Sequence, residues 1–407
     1  MDISAARARA KGLFERAVAA ADPARAVQAD LGENPLPALA PGARREVIAL
    51  GKAARAMAAA ALPVAPGRCL IVTTDANADP LEGVDIRAAG HPVPDARGAA
   101  AANEVLARLA DLRAGDQVLF LISGGGSALL PAPAEGLTLE DKATVNRLLL
   151  ASGADIAEMN LVRQQLSRTK GGGLARAAAP AFVRALILSD VVGDDLRIVA
   201  SGPTVAPLGD RTAARAALQS RGLWDRLPDA VRAHLISDGA PPVPAPAENR
   251  LIGSNILSVR AMAQDTDARV VHPLTGDVEE AAARIWQEAG PDVTFFGGET
   301  TVKLRGQGRG GRNQELALRV ALRAEELGIA GPFVFLSGGT DGRDGPTDAA
   351  GGIVDHETLS RMRAAGVDPA HALAENDSYP ALAAAGDLLM TGETGTNVAD
   401  VQVMIRG

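Results

Sequence analysis

Aromatic side chains are scarce in this 407-residue chain, at about 2%. Binding of single-stranded nucleic acid rests on aromatic stacking platforms, so that class of partner is disfavoured. Cysteine is scarcer still. Cys69 stands alone, so no intrachain disulfide can form, which fits a reducing compartment. It opens an apolar run and reads as a core residue. No clean run of 18 or more apolar residues exists, so no membrane span is expected. No secretory signal is visible either. The first thirty residues set Arg7, Arg9, Lys11, Glu15 and Arg16 among alanines, the pattern of a surface amphipathic helix. A cytoplasmic location is expected. The net charge of −8 repels nucleic-acid backbones. An acidic chain that binds a nucleotide must gather a few cations, or a metal, inside a cleft.

Several motifs are missing as well. GxxxxGK[ST] is absent, no GxGxxG follows the strand at 116–122, and no GxSxG elbow exists. The five histidines show no paired metal-ligand spacing. His91, in GHPVPD (90–95), reads as part of a Pro-stiffened turn.

What remains is a chain that is 47% hydrophobic and too long for one ordinary core, so two domains are expected. Strand and helix patterns alternate. Strands are expected at 46–50, 69–73, 116–122, 185–190, 269–271, 293–296 and 333–336, with a small mixed segment at 387–390 and 401–405. Helices are expected at 53–61, 98–112, 140–152, 156–166, 174–179, 278–289 and 314–327. The fold class is α/β. A doubly wound, mostly parallel sheet forms a large N-terminal domain, 1–240, and a smaller α/β domain covers 241–407. The boundary is drawn from 238–249, where four prolines fall in twelve residues and periodicity vanishes.

Five places share one feature, an apolar strand that ends in a Gly-rich or acidic loop. Ligands of open α/β sheets bind beyond the carboxyl ends of the strands. Ser123, Gly124, Gly125, Gly126 and Ser127 offer consecutive amides that can cradle phosphate oxygens. Gly51-Lys52 puts an ammonium where a strand hands over to a helix. Arg168 and Lys170 precede three glycines and a helix. Asp190 ends a strand, a position suited to Mg²⁺ or a substrate hydroxyl, with Asp194 and Asp195 behind it as loop or cap residues. In the C-terminal region, Glu299 closes one strand, Arg312 precedes a helix with Asn313 as its cap, and the loop 338–348 carries Asp341, Asp344 and Asp348.

These stretches carry a family likeness. ALGKAA (49–54), GHPVPD (90–95), LISGGGSALL (121–130), NLVRQQLSRTKGGGLA (160–175), LILSDVVGDDLRIVASGPT (186–204), FGGETTV (296–302), GRGGRNQELAL (308–318), LSGGTDGRDGPTDAAGG (336–352) and LLMTGETGTNVAD (388–400) occur in family order. The chain resembles the glycerate 2-kinases, whose C-terminal part is the MOFRL domain and whose members often carry a hydroxypyruvate reductase label. The resemblance implies ATP-dependent phosphorylation of D-glycerate, usually giving 2-phosphoglycerate, with Mg²⁺ and an active site in an interdomain cleft. It implies Lys52 and Arg312 as the basic residues tied to catalysis and 123–127 as the nucleotide-phosphate loop. Asp190 is assigned to Mg²⁺ or the substrate hydroxyl, Lys170 to the nucleotide phosphates, and Glu299, Asn397 and Asp341 to substrate contacts. An NAD(P)H-dependent hydroxypyruvate reductase and a non-catalytic nucleotide or sugar-acid binding protein are the alternatives. The sequence fixes no oligomeric state, and a homodimer is compatible with it.

Overall fold

The computed structural model describes residues 1–237, 245–264 and 266–407. The chain forms two compact units. One comprises residues 23–189 and 194–252, the other residues 1–22, 190–193 and 253–407.

The first unit is built on a six-stranded sheet. Its strands are β1 (Arg45–Leu50), β2 (Arg68–Thr73), β3 (Asp85–Ala88), β4 (Gln117–Ile122), β5 (Phe182–Leu188) and β6 (Glu248–Gly253). The order is β3-β2-β1-β4-β5-β6 and every pair is parallel. Parallel strands need helical crossovers that cover both faces, which is why β4 is buried throughout and apolar from Val118 to Ile122. Cys69 lies buried in β2, as expected, and burial pushes its thiol up to about 12. With few aromatics to fill space, the core relies on Ala, Val, Leu and Ile. The strand order reverses between β1 and β4, whose carboxyl ends lie side by side in the register Leu50 to Ile122. That reversal is where open α/β sheets form a crevice.

The second unit carries a mixed sheet. Its strands are β7 (Arg269–Asp277), β8 (Asp292–Thr301), β9 (Phe333–Gly339), β10 (Gly351–Asp355), β11 (Leu388–Leu389) and β12 (Asp400–Arg406), in the order β11-β10-β9-β12-β8-β7. β12 runs antiparallel to both β8 and β9, so Asp400 sits beside Gly298 and Gly339.

The compact units depart from a linear division at 240/241 in three places, residues 190–193 among them. The amphipathic helix Ile3–Ala20 buries Ala6, Ala10, Leu13, Phe14 and Ala17 in one apolar cluster with Val334, Leu336, Val401 and Val403. It therefore belongs with the C-terminal sheet. Residues 238–244 of the expected linker lie outside the described residues, but Glu248 and Asn249 already start β6. The Glu248 carboxylate accepts from Arg184 Nε at 2.8 Å, which ties this strand start to β5. Strands β3, β6 and β10 were not expected. β3 has a polar alternation, β6 follows prolines, and β10 begins with two glycines.

Candidate active site

The crevice between β1 and β4 joins two sequence motifs through their backbones. Ser123 N–H donates to Leu50 O at 2.9 Å, and Lys52 N–H donates to Gly124 O at 2.9 Å. The Ser123 hydroxyl is buried and accepts from Ala53 N–H at 3.1 Å. Its side chain thus fastens the two loops and is spent inside the fold. The approach demands glycine. Gly51 has φ +117°, and a Cβ there would lie 2.2 Å from Ser123 Oγ. Among the described residues the Gly124 and Gly125 amides donate to no acceptor, while Gly126 N–H turns inward to Ser123 O at 3.4 Å. Two amides, not three, remain to meet an anion.

Lys52 is exposed and forms no ion pair among the described residues, so its ammonium can swing over this loop. His91 was read as a turn residue. A Cβ on Gly125 would meet its ring at 3.2 Å and Lys52 Cγ at 3.3 Å, so both side chains flank the same peptide. Burial, and then the Lys52 charge, hold the His91 pKa down, which keeps the imidazole neutral beside the lysine.

Lys170 belongs to the same region. Its Nζ donates to Ser127 O and to Ser127 Oγ, both at 2.7 Å, and Ser127 Oγ shares a 2.9 Å hydrogen bond with Ser201 Oγ. The Ser201 hydroxyl in turn donates to Asn160 Oδ1 at 2.6 Å. Two further cations act on Lys170, and sequence reading missed both. Lys142 and Arg163 sit close enough that their charges, after burial, push the Lys170 pKa well down. Arg163 Nε donates to Asn146 Oδ1 at 2.9 Å. Lys142 Nζ is buried without a hydrogen-bond partner, and burial lowers its pKa to about 7. No carboxylate of the described residues pairs with any of the three.

The second unit gathers the opposite balance around Arg312. The helix Arg312–Glu326 begins at this residue. Arg312 Nε and Nη2 donate to the two oxygens of Asp400 at 2.6 and 3.0 Å, and Nη1 lies 2.7 Å from Glu299 Oε1. Asp400 is 1% exposed and Glu299 44%, so Asp400 is the fixed anchor and Glu299 the exchangeable partner. Burial opposes the Arg312 charge, but the hydrogen bond and charge of Asp400, with Glu299, win and raise its pKa. Asn313 does not cap the helix, as had been expected. It lies inside the first turn, where its Oδ1 accepts from the Ser337 hydroxyl at 2.6 Å. The cap comes from Asp344, whose carboxylate accepts from Asn313 N–H at 3.1 Å and Gln314 N–H at 2.8 Å. Burial pushes Asp344 up to about 6 despite those bonds, and the Asp400 charge adds to the rise.

The remaining sequence candidates are less gathered. Asp190 lies two positions beyond the end of β5 and is partly buried. Asp341 Oδ1 accepts from Arg343 N–H at 3.0 Å, and Asn397 Oδ1 accepts from Ala399 N–H at 3.1 Å, so both shape their own turns. Among the described residues no group of three or more His, Cys, Asp or Glu side chains is disposed to hold a metal ion, so no all-protein cage for Mg²⁺ exists there. Mg²⁺ that arrives on nucleotide phosphates keeps several waters and needs only one or two carboxylates. The described residues include no helix long and apolar enough to cross a membrane.

Known proteins share this sequence pattern and this fold. Residues 9–236 match the family described as a domain of unknown function, DUF4147, and residues 292–400 match the MOFRL family. A D-glycerate 2-kinase from Thermotoga maritima is 41% identical over 87% of this chain and 89% of its own. A relative from Agrobacterium vitis with a provisional hydroxypyruvate reductase name is 41% identical over 100% of this chain and 95% of its own. The crystal structure of a glycerate kinase from Thermotoga maritima superposes with a TM-score of 0.91 at 38% identity, covering 99% of this chain and 100% of the other. By sequence and by fold alike, the chain belongs to the glycerate kinase family, with its DUF4147 and MOFRL regions.

Proposed function

We propose that this protein transfers the terminal phosphoryl group of MgATP to D-glycerate and releases 2-phosphoglycerate and ADP. The observation that carries the reading is the pair of unspent amides at Gly124 and Gly125, set at the sheet reversal with Lys52 bonded through its backbone to the same loop. Phosphoryl transfer needs little covalent help and much positioning and charge neutralisation. The amides cradle phosphate oxygens, and Lys52 supplies a mobile charge. Arg312 offers the N–H groups that Asp400 and Glu299 leave open to the transferring group or to the glycerate carboxylate, with Glu299 as the partner that gives way. Asp190 is the carboxylate assigned to Mg²⁺ on the nucleotide or to the reacting hydroxyl. Lys170 holds Ser127 in place and faces the phosphates. Asp341 and Asn397 act on the substrate through the turns they hold.

The strand order β3-β2-β1-β4-β5-β6 is also that of dinucleotide-binding sheets, which gives the reductase reading one observation. After β1, however, the chain reads Gly51-Lys52-Ala53-Ala54, without the further glycines that let a pyrophosphate approach. Phosphorus NMR of the product from ATP, Mg²⁺ and D-glycerate tests the proposal. A 2-phosphoglycerate resonance is expected. A 3-phosphoglycerate resonance would move the transfer to the other hydroxyl, and no phosphoester, with NADH oxidised on addition of hydroxypyruvate, would replace the kinase by the reductase.

A further inference from the structure

Next to the segment that carries Lys170, the first unit holds a second basic concavity that phosphoryl transfer, as proposed above, does not use. A cavity of about 550 Å³ is lined by Arg168, Arg176, Arg211, His234, Gln165 and Glu135, among others. The three arginines spend their visible hydrogen bonds on neutral oxygens. Arg168 Nε donates to Pro133 O at 3.0 Å and its Nη2 to Asn103 Oδ1 at 2.6 Å. Arg176 Nη1 donates to Gly171 O at 2.7 Å. Arg211 Nη1 donates to Ser237 Oγ at 2.7 Å. These bonds fix the planes of the guanidinium groups. Among the described residues none of the three has a carboxylate partner. Among the described residues Arg176 and Arg211 both keep Nε and Nη2 unspent, the donor pair that meets two oxygens of an oxyanion side-on.

This pattern differs from that of three shielded arginines elsewhere in the unit. Arg108, Arg184 and Arg221 pair with Asp85, Glu248 and Glu158. A half-buried guanidinium without a counter-charge is costly, and burial pulls the Arg176 pKa down accordingly. His234 bonds to Gln165 O at 2.9 Å, and burial, with the Arg211 charge, favours its neutral form. Three arginines against the single carboxylate of Glu135 leave a surplus of two positive charges in one cavity. A carboxylate ligand would neutralise half of that surplus and a phosphate dianion all of it.

We propose that this cavity is a second anion site, which takes inorganic phosphate or the phosphate group of a small monoester and is separate from the site of phosphoryl transfer. The test is isothermal titration of the full chain, at low ionic strength, with inorganic phosphate and in parallel with glycerol 2-phosphate. One saturable site is expected. Tighter binding of phosphate would identify the free ion as the ligand, and tighter binding of the ester a phosphorylated metabolite. Either Arg176→Gln or Arg211→Gln should weaken the better ligand by about tenfold or more, since each removes a charge-assisted fork. Glu135→Gln, at an exposed position without an ion pair, should tighten it severalfold, and this arm stands even if an arginine variant folds poorly. Turnover of ATP with glycerate, at saturating substrates and without added phosphate, should change by less than about twofold in Arg211→Gln. No binding of either probe, or equal affinity in wild type and all three variants, overturns the proposal. So does an ADP affinity that falls in parallel with phosphate affinity in Arg211→Gln, because the cavity would then be the seat of the nucleotide itself.

Discussion

Lys170 and Arg312 are both shielded basic side chains at candidate phosphate contacts, yet their surroundings carry opposite charge. Lys170 shares its neighbourhood with Lys142 and Arg163, and its own bonds end on the oxygens of Ser127. Arg312 is held by Asp400 and Glu299, with Asp344 close by. The first environment has cations and no counter-charge, so it gains from an incoming anion. The second is already more than neutralised. There the guanidinium works less as a charge than as a rigid pair of donors aimed by Asp400. Exposed Lys52, on a flexible stem, supplies charge without direction, and an arginine locked by a buried carboxylate supplies direction with its charge cancelled.

Turnover gives the largest expected effect and the most direct way to break this contrast. Lys52→Ala and Arg312→Ala should each lose about 10²–10³ in kcat in a coupled ADP-release assay, the usual scale for removing one preorganised stabilising group. The conservative swaps separate the roles. Lys52→Arg keeps a mobile charge and should retain much of the rate. Arg312→Lys keeps the charge but loses the fork, so it should fall nearly as far as the alanine variant. An Arg312→Lys enzyme close to wild type would show that charge alone matters at this position.

Stability separates the two regions by sign. Arg312→Ala strands the buried Asp400 carboxylate and should cost about 3–5 kcal/mol in urea denaturation. Lys52→Ala removes an exposed side chain without an ion pair and should stay within about 0.5 kcal/mol of wild type. Lys142→Met removes a buried ammonium that has no hydrogen-bond partner, and should stabilise the protein at pH 7 by at least about 1 kcal/mol. Its pH dependence follows from linkage. The folded pKa of about 7 lies below the ordinary lysine value of 10.5, so between them the unfolded chain binds the extra proton and stability rises with pH. The advantage of Lys142→Met is therefore full below pH 7 and shrinks as the pH climbs toward 10. A destabilised Lys142→Met would mean that the ammonium is paired in solution, and the contrast with Arg312 would fail.

These pairings also mark what the sequence could and could not tell. Local devices were legible. The glycines that let the β1 and β4 loops touch, the lysine beside them and the apolar strands that lead into them all fall within short windows, and their spacing carries the chemistry. Long-range choices were not. Asp400 lies 88 residues from Arg312, and Asp344 caps a helix 31 positions earlier in the chain, so no window contains both partners. Asn313 looked like the cap because it is a good cap type near a helix start, and propensity yielded to a buried carboxylate from another loop. Lys142 sits in the helix Leu139–Ala151 among polar neighbours, and nothing in that stretch announces that its head is buried against two other cations. The first thirty residues read as one amphipathic helix, but the chain breaks them into Ile3–Ala20 and Pro23–Glu33, and an apolar stripe does not say which sheet it covers.

Asp344 offers the smallest effect and the finest test of the acid excess around Arg312. Its folded pKa of about 6 stands above the ordinary aspartate value of 3.8. Between those values the folded protein holds a proton that the unfolded chain has released, so stability falls as pH rises through that window. Asp344 thus contributes its stabilisation most fully below about pH 4 and loses it on passing pH 6. Asp344→Asn keeps an amide oxygen for the Asn313 and Gln314 N–H groups but cannot ionise, so the slope between pH 4 and 6 should flatten while a weaker cap remains. If Glu299, rather than burial, sets the local acid balance, Glu299→Gln should flatten the same slope as much. Burial is the larger cause at Asp344, so the Glu299 variant should leave most of the slope in place, and Tm measured at half-unit pH steps separates the two outcomes.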